Sequence, residues 1–170
     1  MNCADFYRLA PNRVWRTYLG GATLDAISGN TAPADSHFPE DWILSATRAV
    51  NAGRESVEEG VSRVVTESGE LLLTELVDRF PEEILGAAHL AKFGKRTGFL
   101  LKYLDSSIRL HLQCHPSIPF ARKYLHSECG KSEGYYILGV RPGCEGYIYL
   151  GFQNPPSPEE LRRMIAEQDI

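Results

Sequence analysis

The chain has 170 residues, of which 43% are hydrophobic and 24% charged, and its formal net charge is −4. This length and composition predict one globular domain with a single hydrophobic core, and the negative charge argues against non-specific nucleic-acid binding. No apolar stretch approaches the length of a membrane span, and the N-terminus lacks a basic segment followed by an apolar one. We therefore expect a cytoplasmic protein with neither a nucleic-acid nor a membrane partner.

Turn-forming residues interrupt the first third of the chain. They separate two short strand-like pieces, Arg13–Leu19 and Trp42–Val50. Many short elements joined by frequent turns are typical of β architecture.

The spacing of apolar residues becomes helical from Leu71 onward. An apolar stripe over residues 71–77 predicts a helix that ends at Phe80-Pro81. A second helix is predicted from Pro81 to about Ala91, because proline and acidic residues suit a first helical turn and Gly94 suits the exit.

The remaining sequence alternates between predicted strands and helices. The strands are predicted at residues 97–104, 107–114, 135–140 and 146–152, and the helices at 116–126 and from Ser157 to about Gln168. The last helix has a strong start, with a serine cap followed by proline and two acids. The fold class is therefore predicted to be mainly β with inserted helices. Because nothing follows this helix, we expect the fold to be incomplete at the C-terminus.

Four widely spaced cysteines form no Cys-x-x-Cys pair: Cys3, Cys114, Cys129 and Cys144. This spacing excludes the usual zinc-ribbon and thioredoxin patterns. Without a secretion signal, we predict that they are reduced and mostly buried.

A candidate metal site lies in the segment that ends at His115-Pro116. On a strand, alternate side chains share a face, so His111, Gln113 and His115 are predicted to project together. Glu133 follows the glycine Gly130, which is expected to let its carboxylate swing toward that face. Two imidazoles, an amide oxygen and a carboxylate suit a divalent metal. The alternative is an ordinary solvated face of an amphipathic strand.

Two lysines have alternative roles. The segment Gly130-Lys131-Ser132 is not a phosphate-binding loop, because Leu125 stands where that motif requires glycine. Lys131 could contact a phosphate or a carbonyl, or be a solvated loop residue. Lys102 lies in a strongly apolar run, where it either reaches solvent at an edge or meets an anion.

Several of these segments, taken in order, resemble the type I phosphomannose isomerase family, mannose-6-phosphate isomerases of the cupin superfamily. Gln113-Cys114-His115-Pro116 matches the family's Gln-x-His-Pro motif, and Gly130-Lys131-Ser132-Glu133 matches its Gly-Lys-Thr/Ser-Glu motif. Three further segments resemble family motifs in the same order: Trp15 with Gly20–Leu24, Phe38–Trp42, and Phe99–Asp105.

The resemblance implies a cupin-type β-sandwich, or jelly roll, with residues 1–170 as the N-terminal portion of a single catalytic domain. The second half of the cupin core, with a fourth histidine ligand and an active-site arginine, would lie beyond Ile170. The implied activity is metal-dependent interconversion of mannose 6-phosphate and fructose 6-phosphate, by proton transfer between C1 and C2. We expect these 170 residues alone to be inactive or impaired, unless another chain supplies the remainder.

The resemblance also implies roles for individual residues. Gln113, His115 and Glu133 are the implied ligands of one zinc ion, with manganese or cobalt as alternatives. Lys131 is an implied active-site lysine, and His111 stands where relatives often carry a serine that faces the sugar. Either residue could be the proton-transferring base, and Lys102 is a candidate for the substrate phosphate. The alternative functions are a non-catalytic cupin-type module that binds a sugar or sugar phosphate, and a plain structural domain.

Overall fold

The computed structural model describes residues 6–169, and the chain divides into two compact units, Met1–Leu112 and Gln113–Ile170. In chain order, the first unit contains β1 (Arg8–Leu9), β2 (Arg13–Val14), α1 (Ala22–Ile27), β3 (Glu40–Ile43), β4 (Arg63–Thr66), β5 (Gly69–Leu72), α2 (Leu73–Arg79), α3 (Pro81–Leu85), α4 (Ala87–Phe93) and β6 (Leu101–Leu104). The second unit contains α5 (Ile118–Tyr124) and α6 (Pro158–Glu167).

One antiparallel sheet of the first unit has the strand order β1-β4-β5. Strands β4 and β5 form a hairpin in which Thr66 pairs with Gly69, so the intervening loop has two residues. Gly69 has a φ of 121°, a conformation that favours glycine. Helix α2 follows β5 directly and packs on this sheet, and together they bury a cluster of aliphatic residues, Val64, Leu71, Leu73, Leu76 and Val77.

The other sheet has the order β2-β3-β6 and is also antiparallel. Alternate residues of β3 are buried, which places Glu40 and Trp42 on one face. Trp42 packs with Val14 and Ala49 in a second hydrophobic cluster. In the register of the sheet, Trp42 lies opposite Lys102 of β6.

Gly20, in the turn before α1, packs closely against the backbone at the end of β6. A Cβ atom added to Gly20 would lie 1.9 Å from the Asp105 carbonyl oxygen, so only glycine fits. The Asp105 carboxylate accepts hydrogen bonds from the amides of Gly21 (3.1 Å) and Thr23 (2.7 Å) at the start of α1. This contact fixes the beginning of α1 against the end of β6.

The predicted helices are confirmed, with shifted boundaries. The helix predicted from Leu71 begins at Leu73, because the two preceding leucines complete β5. The one predicted from Pro81 is two helices, α3 and α4, since Gly86 has a φ of 81° and interrupts it. Helix α6 begins as expected, with a capping box in which the Ser157 hydroxyl and the Glu160 carboxylate each accept a backbone amide.

The strands predicted at 107–114, 135–140 and 146–152 are wrong for the structure as described. After β6, backbone pairing continues as far as Ser107: the Gly21 amide donates to the Asp105 carbonyl, and the Ser107 amide donates to the Leu19 carbonyl. A strand needs a neighbour for its amides and carbonyls, and beyond Ser107 these segments form no strand pairing among residues 6–169. Their large side chains remain exposed, including Leu112, Tyr136, Leu138, Tyr149 and Leu150.

The other predicted strands are shorter than expected. The strand predicted at 13–19 spans Arg13–Val14, the one at 42–50 spans Glu40–Ile43, and the one at 97–104 spans Leu101–Leu104. Leu44 has a φ of 49°, which ends β3 at its carboxyl side. Residues 6–169 therefore form a mixed fold of two small antiparallel sheets and several helices, rather than a mainly β one, and the jelly roll stays a prediction.

Two further expectations concern cysteines and membrane spans. Cys114, Cys129 and Cys144 are exposed, so the prediction of burial is wrong for them, because they lie in segments without a covering layer. Their reduced state stays a prediction. Cys3 lies outside the described residues. Across residues 6–169, no helix has both the length and the apolar character needed to cross a bilayer.

Candidate functional site

The second unit brings together the two segments that carry the predicted metal ligands. Helix α5 begins after Ser117, whose hydroxyl accepts the Phe120 amide at 3.4 Å. At its end the amides of Leu125 and Ser127 both bond to the carbonyl of the buried Ala121, and the chain turns back. This reversal returns residues 128–133 toward the segment that precedes the helix.

A close backbone contact holds the two segments against each other. The amide of Lys131 donates a hydrogen bond to the carbonyl of Pro116 at 2.9 Å. Gly130 lies against the same backbone, where an added Cβ would be 2.8 Å from Pro116 O and 2.9 Å from Ile118 N. The segment 130–133 is therefore positioned by main-chain atoms.

His115 and Glu133 meet as a result of this contact. His115 Nε2 lies 3.2 Å from Glu133 Oε2, and the two side chains are 28% and 15% exposed. His115 Nε2 is buried, and no residue in the range 6–169 makes a hydrogen bond with it. A buried polar atom without a hydrogen bond costs about 1–3 kcal/mol, so it calls for a partner.

This pair fits a divalent metal by atom type and separation. Imidazole nitrogen and carboxylate oxygen are both zinc ligands, bound at about 2.0–2.2 Å. Two such ligands on a tetrahedral ion lie about 3.4 Å apart, close to the 3.2 Å between His115 Nε2 and Glu133 Oε2. The two side chains could therefore hold one edge of a zinc coordination sphere.

The other predicted site residues of the second unit differ in whether they lie close to His115 and Glu133. Lys131 Nζ lies 4.0 Å from Glu133 Oε2, and its side chain is about half exposed. Gln113 is exposed, and its side chain makes no hydrogen bond within the described part of the chain. That part holds no group of three or more His, Cys, Asp or Glu residues suited to a metal. A site made of Gln113, His115 and Glu133 would not form such a group, because glutamine is not one of those four residue types.

The predicted shared strand face of His111, Gln113 and His115 is wrong for this structure. Residues 111–117 have no regular secondary structure, because the strand pairing after β6 stops at Ser107 and the single bond from Lys131 to Pro116 does not extend into a strand pair. His111 is exposed and belongs to the first unit, whereas Gln113 and His115 belong to the second.

Lys102 meets an anion, one of the two alternatives for a lysine in an apolar strand. Its Nζ lies 3.2 Å from Glu40 Oε1, and its side chain is 17% exposed. Glu40 itself is 2% exposed. The anion that Lys102 meets in the first unit is therefore a protein carboxylate.

Glu40 is the centre of a buried polar cluster in the β2-β3-β6 sheet. The Tyr18 hydroxyl donates to Oε1 at 2.6 Å, the Trp42 indole donates to Oε2 at 2.7 Å, and Arg16 contacts Oε2 at 2.9 Å. The Arg16 guanidinium also lies over the Trp42 ring, 4.9 Å from its centroid. Sequence reasoning missed Arg16 and Tyr18. The available signal was that both pairs, Arg16 with Tyr18 and Glu40 with Trp42, are spaced two residues apart, as expected for side chains on one face of a strand.

The pKa of Glu40 is low despite its burial. Burial raises the pKa, but the Tyr18 hydrogen bond, the Lys102 charge, the Trp42 hydrogen bond and the Arg16 charge outweigh it and lower the pKa to about 2. The carboxylate is therefore ionised at any pH where the protein is normally handled.

This low pKa predicts a pH dependence of stability. Since the folded-state pKa lies below the ordinary value of 4.5, the stabilisation is complete above pH 4.5 and is lost as the pH falls through about 2. The shift corresponds to about 3 kcal/mol. Urea unfolding at a series of pH values should show this loss, and the Glu40→Gln variant should show a smaller decrease over the same range. Equal decreases in both proteins would contradict the prediction.

The chain shows one distant similarity to a known enzyme. It is 29% identical over 152 residues to mannose-6-phosphate isomerase ManA of Bacillus subtilis (strain 168). The match covers 89% of this chain but 42% of that relative, so the chain spans less than half the relative's length. No family model matches the chain, and no solved structure does either. The similarity supports a distant relationship to mannose-6-phosphate isomerase, in agreement with the resemblance of the motifs.

Proposed function

We propose that the chain carries the metal-binding part of a zinc-dependent aldose–ketose isomerase that interconverts mannose 6-phosphate and fructose 6-phosphate. The observation that carries the proposal is the 3.2 Å approach of His115 Nε2 to Glu133 Oε2, with the imidazole nitrogen buried and without a hydrogen bond from any described residue. The distant similarity to mannose-6-phosphate isomerase gives this pair its chemical context.

In this proposal His115 and Glu133 would hold zinc, with Gln113 as the third ligand. Zinc would supply a Lewis acid that stabilises negative charge on the substrate oxygens, without a redox change. Manganese or cobalt could take the same ligands, because mixed nitrogen and oxygen sets discriminate poorly between these ions.

The reaction itself needs a base beside the sugar. Converting mannose 6-phosphate removes a proton from C2, passes through an enediol, and returns a proton to C1. Lys131 is a candidate because its Nζ lies 4.0 Å from the Glu133 carboxylate and its side chain is half exposed, which leaves the ammonium accessible. His111 is the other candidate. A contact between Lys102 and the substrate phosphate also stays a proposal, and there the ammonium would be shared with Glu40.

The same proposal assigns residues 1–170 to the N-terminal portion of one catalytic domain with a cupin-type jelly roll. The exposed apolar segments at 135–140 and 147–152 suit strands that would be paired and covered in such a sandwich. A non-catalytic sugar-phosphate-binding module is the alternative function, and no observation favours it.

The test is conversion of fructose 6-phosphate by the 170-residue chain and by the whole product of its reading frame. After removal of metal by a chelator, added zinc should bind at about one ion per chain and restore formation of mannose 6-phosphate by the whole product. Mannose 6-phosphate is measured by NMR, with and without zinc. Zinc binding without any turnover in the whole product would reject the isomerase and favour the binding module.

A further inference from the structure

We propose that Gly130 is a positioning residue, which sets the distance from the Glu133 carboxylate to His115 by lying directly against the backbone of residues 116–118. This inference rests on the proposed zinc site. It assigns a role to a residue that touches neither the metal nor the substrate.

The contact at Gly130 is made by main-chain atoms on both sides. A Cβ on this residue would lie 2.8 Å from Pro116 O, 2.9 Å from Ile118 N and 3.1 Å from Ser117 C. Real Cβ atoms essentially never approach other heavy atoms closer than 3.0 Å. Because backbone atoms cannot rotate out of the way as a flexible side chain can, any other residue would push the two segments apart.

The requirement for glycine here is one of space and not of backbone conformation. The φ angle of Gly130 lies outside the left-handed region, in contrast to that of Gly143 at 77°. An L-residue could therefore adopt the local conformation, and only the packing excludes it. This separates Gly130 from the turn glycines and identifies the close approach as its function.

The close approach determines where Glu133 lies. The next residue, Lys131, donates its amide to Pro116 O at 2.9 Å, and Pro116 directly follows the ligand His115. Glu133 is two residues further along the same short segment. The position of Glu133 relative to His115 is therefore set by one backbone hydrogen bond, from Lys131 to Pro116, and by the Gly130 contact.

A small displacement at Gly130 would disturb the metal site. Relieving a 2.8 Å contact to an ordinary separation of 3.4 Å or more requires a movement of at least about 0.6 Å. Metal–ligand distances are restricted to about ±0.2 Å. Mutation of the outer-shell residues that orient metal ligands typically costs about 10- to 100-fold in metal affinity, and we expect a loss of the same size here.

The experiment compares Gly130→Ala with Gly134→Ala. Gly134 is a matched control, because it flanks Glu133 on the other side, has a φ outside the left-handed region, and has no atom within 4 Å of an added Cβ. Zinc affinity of each full chain is measured by calorimetry in competition with a chelator. Gly130→Ala should bind zinc about 10- to 100-fold more weakly than the unmodified chain, and Gly134→Ala within about twofold of it.

A second readout separates positioning from general stability. Each variant is saturated with cobalt, and the visible ligand-field spectrum reports the geometry around the bound ion. If Gly130 positions Glu133, the saturated spectrum of Gly130→Ala should shift toward that of Glu133→Gln. A wild-type spectrum at saturation, or an unchanged zinc affinity, would overturn the inference, because alanine would then have altered folding at most.

The outcomes for the site and for the glycine are distinguishable. If the unmodified chain binds no zinc, the proposed function fails, and this inference fails with it. If the unmodified chain binds zinc and the two alanine variants bind it equally well, the zinc site stands and only the role of Gly130 is rejected.

Discussion

Replacement of Glu40 by glutamine is expected to lower the free energy of unfolding by about 3–5 kcal/mol. Glu40 is almost completely buried and compensates the charges of Arg16 and Lys102, whose side chains are each less than one-fifth exposed. Glutamine keeps the size of the side chain but removes its charge. Two cations would then remain partly buried with no carboxylate at the centre of the cluster.

The measurement is urea unfolding at neutral pH, with Glu70→Gln as the control. Glu70 is an exposed glutamate on β5, so its substitution should change stability by no more than about 0.5 kcal/mol. Adding Lys102→Met to Glu40→Gln should recover part of the loss, because it removes one of the two cations that contact the carboxylate of Glu40. A Glu40→Gln variant as stable as Glu70→Gln would show that the cluster contributes nothing to the fold.

Substitution of either member of the close pair is expected to remove most of the zinc affinity. Glu133→Gln takes away the proposed anionic ligand, and His115→Ala takes away the imidazole whose Nε2 is buried. Mutation of residues that only support a ligand lowers metal affinity about 10- to 100-fold. Loss of a direct ligand should therefore lower zinc affinity at least about 100-fold. The measurement is zinc calorimetry in competition with a chelator.

Two nearby substitutions serve as controls for this prediction. Glu128→Gln removes an exposed carboxylate that pairs with Arg122, and His126→Asn replaces a histidine at a φ of 51° with a residue that tolerates this conformation. Both should bind zinc with unchanged affinity. If Glu133→Gln bound zinc as tightly as Glu128→Gln, the carboxylate at 133 would not be a ligand.

The elements that the sequence predicted best are those defined by neighbouring residues. The start of α6 depends on Ser157, Pro158 and Glu160, which lie within four positions of one another, and its capping box is formed as expected. Helix α2 followed from its apolar stripe for the same reason. The split between α3 and α4 was missed because one glycine, Gly86, changes the backbone direction without altering the apolar periodicity.

Strands were harder to predict, since a strand depends on partners that are distant in sequence. The alternation of apolar residues at 107–114 predicts a strand, but pairing in the structure ends at Ser107. The Glu40 cluster shows the same difficulty, because Arg16, Tyr18 and Lys102 reach one carboxylate from three separate segments. Neither the spacing of these residues nor the composition of the chain predicts which side chains will contact Glu40.

In the candidate site, the site residues stay a prediction, and the sequence did not indicate the close contact made by one glycine. Gly130 was expected to give Glu133 freedom to swing, whereas the structure uses it for a close backbone contact. Both uses require glycine, and one sequence cannot distinguish flexibility from lack of space. The approach of His115 to Glu133 was foreseen through motif resemblance, and the backbone hydrogen bond that produces it was not.

The ion pair between Lys102 and Glu40 spans 62 residues, and this separation affects the order in which the protein can form during synthesis. The β4-β5 hairpin and α2 contain mostly local contacts, so they can assemble as soon as they leave the ribosome. Strand β3 emerges early but lacks β6 and its cation until much later. The nascent chain therefore carries Glu40 without one of its two positive neighbours throughout that interval, and the β2-β3-β6 sheet is completed only after the whole of the β1-β4-β5 sheet is available.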